Sequence, residues 1–207
     1  GASFSALEVV PLVLIGYEAY HNYRLSGKKG WVSGYKWPIY CLIAVAFWNF
    51  LGAGIFGFII NPPIALYYMQ GLNTTPLHGH TALFGVYGVL GIGLMLFVLK
   101  GLYRQNVWKD GLIGFAFWSI NIGLMLMALL SLLPMGMLQA IASVNEGMWY
   151  ARSAEFMQQP VMETLRWLRA IGDTIFAIGT IALALFVAGL KFGWSFKKGE
   201  FDIHSEE

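Results

Sequence analysis

Charge is scarce in this chain. Asp, Glu, Lys and Arg make up 12% of its 207 residues, against about a quarter in soluble domains. Hydrophobic residues reach 57%, aromatic residues 16%, and mean hydropathy is +0.62. That shortage excludes an ordinary water-soluble domain. The net charge of +2 is too small and too dispersed for a nucleic-acid surface. Cysteine is nearly absent: Cys41 stands alone, which excludes a disulfide framework and a cysteine-built zinc centre. Inside a long apolar run, Cys41 reads as packing. No His-x-x-x-His spacing is present either, so a tetrahedral zinc site has no ligand set.

What the chain has instead is a series of apolar runs long enough to cross a bilayer, which takes about 20 residues each. Five are expected: Phe4 to Tyr20, Trp37 to Ile60, Pro76 to Leu99, Leu112 to Leu138 and Leu165 to Leu190. The expected fold is an all-α polytopic membrane bundle of five transmembrane helices, with residues 1–207 forming a single membrane portion. Asn61-Pro62-Pro63 ends the second run, because proline removes backbone donors and restrains the residue before it.

Lysine and arginine set the expected orientation, since short cytoplasmic loops gather them. Arg24, Lys28, Lys29 and Lys36 fill the first loop, Lys100, Arg104 and Lys109 the third, and Lys191, Lys197 and Lys198 follow the last run. The uncharged loop Asn61 to Thr75 and the loop Gln139 to Thr164 then face outward.

The sharpest motif is His78-Gly79-His80, near the start of the third run. Positions two apart on an α-helix point about 200° from each other. The two imidazoles therefore face opposite flanks at nearly one depth and cannot share one small metal ion. Each can ligate a separate flat cofactor, and imidazole is a usual axial ligand of haem iron. The competing reading is a pair of hydrogen-bonded packing or proton-relay histidines. Two such residues within three positions of a membrane helix favour function, because intramembrane ionisable groups are expensive.

Other candidates follow from the same cost. Glu8 in the first run suits proton transfer or metal coordination, or a helix-helix hydrogen bond. Asp173 lies about two turns into the last run, where Arg166 or Arg169 could neutralise it. Arg152, in the amphipathic outer loop, could meet a haem propionate or snorkel at the membrane surface. His21 and His204 lie toward the cytoplasmic side, in interfacial and tail positions. Gly85, Gly88, Gly91 and Gly93 sit within a spanning run with no preceding strand, so they serve close helix approach rather than nucleotide binding. Met125, Met127, Met135 and Met137 read as packing.

Three stretches, Asn49-Phe50-Leu51-Gly52-Ala53-Gly54-Ile55-Phe56-Gly57-Phe58, Asn61-Pro62-Pro63 and Leu77-His78-Gly79-His80-Thr81-Ala82-Leu83-Phe84-Gly85-Val86-Tyr87-Gly88, resemble the catalytic subunit of bacterial nitric oxide reductases, within the haem-copper oxidase superfamily. Arg166-Trp167-Leu168-Arg169-Ala170-Ile171-Gly172-Asp173 resembles most the single-subunit, quinol-dependent branch. The resemblance implies two b-type haems, with His78 the ligand of the high-spin haem and His80 an axial ligand of the low-spin haem. It implies that Glu8 lies near a non-haem iron and its proton supply, and that Asp173 lines a quinol pocket. The implied reaction reduces two NO to N2O and water with electrons from quinol, in the bacterial inner membrane, with the histidine pair toward the periplasmic side.

The histidine-bearing helices that hold the family's non-haem iron, and the second low-spin haem ligand, have no counterpart here. The chain is therefore expected to be the C-terminal portion of a larger haem-copper-oxidase-like bundle, inactive alone, with the upstream part of the same protein or a companion chain as partner. Alternative readings are a cytochrome c-dependent reductase subunit, a fragment of an oxygen-reducing oxidase, and a non-enzymatic haem-binding electron-transfer module.

Overall fold

A computed structural model describes residues 34–201, together with Leu7, Val10, Pro11, Leu14, Tyr17 and His21. Its architecture is an all-α, membrane-type bundle. Among the described residues four helices are long and apolar enough to cross a membrane: α1, Lys36–Ile60; α3, Thr74–Leu102; α4, Asp110–Asn145; and α5, Pro160–Phe192. A short helix, α2 (Pro63–Met69), joins α1 to α3, with Pro63 at its first position, where the missing N–H costs nothing.

The expected count of five spans is thus corrected to four among the described residues. The run Phe4 to Tyr20 falls largely outside the described residues. It is 17 residues long and encloses Glu8, Pro11 and Glu18. That length is the lower limit for crossing, and each carboxylate costs about 2.5–3.5 kcal/mol at a span centre.

The other four runs coincide with helices that extend beyond them. The largest extension is in α4, which continues past Leu138 to Asn145. Its polar tail is satisfied by tertiary bonds: Ser143 Oγ donates to the Tyr68 carbonyl at 2.8 Å, and Gln139 bonds to Asn73. A 3-10 turn (Tyr150–Arg152) and a single helical turn (Ala154–Met157), capped by the Ser153 hydroxyl, lead into α5.

Packing is closest between α4 and α5. A Cβ added at Gly172 would meet Met127 N at 2.5 Å, and one at Gly123 would meet Phe176 N at 2.6 Å, so glycine lets these backbones touch. The main core gathers Trp37, Cys41, Trp48, Leu96, Trp108 and Phe186. Trp48, 1% exposed, donates its indole N–H to Asn121 Oδ1 at 2.8 Å, pinning α1 to α4.

One end of the bundle is closed by a two-stranded antiparallel ribbon. There β1 (Asn106–Trp108) pairs with β2 (Phe196–Phe201), with Asn106 opposite Phe201 and Trp108 opposite Phe196. The chain turns into β2 through Gly193 in the left-handed region, φ +86°, the usual glycine stop of a helix. Buried Lys100 donates to the Arg104 and Asn106 carbonyls at 3.2 and 3.0 Å, and Lys36 pairs with Asp110 at 3.5 Å. Most lysines gather at this end. The histidine pair lies at the other.

Three stretches of π-helix interrupt the spans: Asn49–Phe56 in α1, His80–Gly88 in α3 and Ala128–Leu132 in α4. Such segments occur frequently at functional sites. The first two pack against each other, and His80 begins the second.

Candidate functional site

The site is built on the first turns of α3. Leu77, 2% exposed, packs with Phe56, Ala128 and Leu132 and fixes the rotation of the helix. His78 and His80 are both half-buried on either side of Gly79.

Each imidazole is oriented by a backbone carbonyl. His78 Nδ1 lies 2.9 Å from the Gly52 carbonyl of α1. His80 Nδ1 lies 2.7 Å from the Pro76 carbonyl, one turn back on its own helix. A carbonyl oxygen only accepts, so Nδ1–H donates in both rings. Nε2 is then the nitrogen left to act as an acceptor or a metal ligand, the usual arrangement by which an outer hydrogen bond orients a ligating histidine.

Glycine makes the His78 seat possible. A Cβ at Gly57 would lie 3.1 Å from His78 Cε1, and one at Gly52 would lie 2.6 Å from the Thr81 carbonyl carbon. The Gly52 carbonyl also accepts the Gly57 N–H within the π-helical stretch, so both of its lone pairs are used. Thr81, fully buried, bonds back to the Leu77 carbonyl at 2.7 Å.

His80 continues into a polar chain. Arg169 of α5 places Nη2 3.3 Å from His80 Nε2. Its Nε lies 3.2 Å from Asp173 Oδ2, an i,i+4 ion pair. Guanidinium only donates, so Nε2 accepts and His80 is the neutral Nδ1–H tautomer. The structure therefore brings Asp173 to the histidine pair through Arg169, 89 residues from His80 in sequence. Arg166 points elsewhere, donating to the Met157 carbonyl at 2.9 Å. Arg152 donates to the carbonyls of Gln70 and Met148, strapping its turn onto the α2–α3 connection. Glu8 and His204 lie outside the described residues. His21 stacks on Tyr17 with ring centroids 6.0 Å apart.

One residue missed by sequence reasoning positions the site. Gln139, 3% exposed, accepts from Asn73 N at 2.9 Å and Asn73 Nδ2 at 2.7 Å, and donates to the Ala151 carbonyl at 3.0 Å. Asn73 precedes the first residue of α3, so this bond seats the helix five residues before His78. The sequence signal is a lone uncharged amide at the end of an apolar run. Replacing Gln139 with leucine strands these groups, and stability should fall by about 2 kcal/mol, read from thermal unfolding in detergent.

Among the described residues no group of three or more His, Cys, Asp or Glu side chains could hold a metal ion. Haem makes a smaller demand, one protein nitrogen on a given face of the iron. Two imidazoles with Nδ1–H already committed to carbonyls have the donor chemistry that this demand requires.

Comparison with known proteins places this chain in a family. The chain is 27% identical, over 199 residues, to a nitric oxide reductase subunit of Stutzerimonas stutzeri. The match covers 87% of this chain and 38% of that protein, so the chain spans less than half the length of its relative. Residues 1–175 match the model of the cytochrome c and quinol oxidase polypeptide I family. The histidine helix, its glycine-lined seat and the three other apolar spans around it are thus those of a chain that belongs to the cytochrome c and quinol oxidase polypeptide I family, in the haem-copper oxidase superfamily.

Proposed function

We propose that this chain is the haem-bearing C-terminal part of a quinol-dependent nitric oxide reductase, in which one helix offers His78 to a high-spin b-type haem and His80 to a low-spin one. The observation that carries the reading is the pair of Nδ1–carbonyl bonds at 2.9 and 2.7 Å, which leave Nε2 as the ligating nitrogen on two flanks of one helix. Haem, when bound, supplies electron transfer and NO reduction, two NO giving N2O and water with two electrons and two protons. The chain's own residues orient and exclude. Gly52 and Pro76 carbonyls hold the rings, Gly57 admits the His78 ring edge, and the packed spans keep the surroundings apolar.

Asp173 is proposed to face quinol, Arg152 a haem propionate, and Glu8 the non-haem iron, whose remaining ligands come from the upstream part of the protein. The lysine-rich ribbon end is proposed to be cytoplasmic by the excess of positive charge. The histidine end then faces the periplasm of the bacterial inner membrane.

The test is turnover by the purified full-length protein. Reduced quinol should drive NO loss in the absence of cytochrome c. Oxygen consumption with bound copper would instead assign an oxidase, and dependence on reduced cytochrome c would assign the other reductase branch. The similarity to a nitric oxide reductase subunit favours NO over oxygen.

A further inference from the structure

The nitrogen of His80 that would meet iron already has a partner, and that partner is charged. Arg169 Nη2 sits 3.3 Å from His80 Nε2, while Arg169 Nε is held by both carboxylate oxygens of Asp173 at 3.4 and 3.2 Å. Arg169 and Asp173 are one turn apart on α5, so they share a face, and that face meets α3 at His80.

We propose that Arg169, anchored by Asp173, guards Nε2 of His80, so that a haem iron ligates His80 only by displacing the guanidinium. The inference rests on the assignment of His80 as a haem ligand. One lone pair serves either the N–H donor or the metal, never both. Displacement breaks one hydrogen bond and forms one nitrogen–iron bond, with no proton or electron transferred, because His80 is already the neutral tautomer.

The anchor makes this a swing rather than an ejection. The Arg169 and Asp173 side chains are 36% and 47% exposed. Arg169 can therefore leave His80 while keeping its ion pair, and it exchanges a half-buried acceptor for the open side of the site. The contact also keeps the ring in its ligating tautomer and orientation, with Pro76 fixing the opposite edge. A guard of this kind selects for a ligand that binds nitrogen more strongly than a hydrogen bond does. Iron in a flat macrocycle meets that condition, and water or a stray cation of weak nitrogen affinity does not.

The test uses the full-length polypeptide, produced under haem limitation, solubilised in detergent and titrated with haemin. The readout is Soret absorbance, and the His80-dependent part is the part missing in His80→Ala. Arg169→Met removes the donor but keeps an unbranched side chain at a half-exposed position. Removing one hydrogen-bonded competitor should raise the His80-dependent affinity for haemin about three- to tenfold. An affinity equal to or below that of the unsubstituted protein overturns the guard while leaving His80 a ligand. No His80-dependent absorbance in either protein overturns the ligand assignment, and the guard with it.

Discussion

Replacing His80 with alanine is expected to abolish the low-spin haem signal of the full-length protein and to leave high-spin haem in place. The converse replacement, His78→Ala, should remove the high-spin signal and spare the low-spin one. The asymmetry follows from the helix. Two residues apart, the rings face different flanks, and each has its own carbonyl, Gly52 for His78 and Pro76 for His80. Loss of either imidazole therefore leaves the other's seat intact. Because loss of an outer hydrogen-bond partner alone typically costs 10- to 100-fold, loss of the ligand itself should lower NO turnover by more than about a hundredfold. Optical and EPR spectra of the oxidised variants read the spin states directly. Loss of both signals in both variants, with thermal stability retained, would mean that the two sites are not separate.

Gly52→Val should be the most damaging single substitution on α1. The new Cβ would lie 2.6 Å from the Thr81 carbonyl carbon and 2.8 Å from Ala82 N, and both are backbone atoms that cannot rotate away. Overpacking commonly costs 1–3 kcal/mol. Here two helices must separate at the point where they touch, so a loss of about 3 kcal/mol is expected. The separation also withdraws the Gly52 carbonyl from His78 Nδ1, so the high-spin haem should be lost first. Thermal unfolding followed by the high-spin absorbance would show both effects. A variant of unchanged stability would mean that α1 and α3 do not pack through Gly52.

Much of the bundle is legible in the chain because a bilayer imposes so simple a rule. Trp37 to Ile60 ends where Asn61-Pro62-Pro63 must end it, and α1 stops at Ile60. Phe4 to Tyr20 has no such counterpart among the described residues, because that run falls largely outside them. The rule fell short at the end of α4. Gln139 and Ser143 lower hydropathy there, yet their polar atoms are met by Asn73, Ala151 and Tyr68, so the helix continues.

In the candidate site, His78-Gly79-His80 stands out in the sequence because ionisable side chains within a membrane helix are rare. That Asp173 would pair with an arginine was an open choice between Arg166 and Arg169, both near it in sequence; only the packing of α5 on α3 selects Arg169 and carries it to His80. The π-helical stretches leave no mark on hydropathy, since a shift in hydrogen-bond register changes no side chain. The carbonyl of Gly52 was invisible for a similar reason: sequence reasoning sees side chains, and this acceptor is backbone.

The central claim is that one helix of this chain ligates two haems. The most direct measurement is a pyridine haemochrome assay with iron and copper quantification on the intact, purified full-length protein. The account predicts about three irons per protein, two of them in b-type haem, and no copper. Absence of haem would contradict it and return His78 and His80 to hydrogen-bonded packing residues.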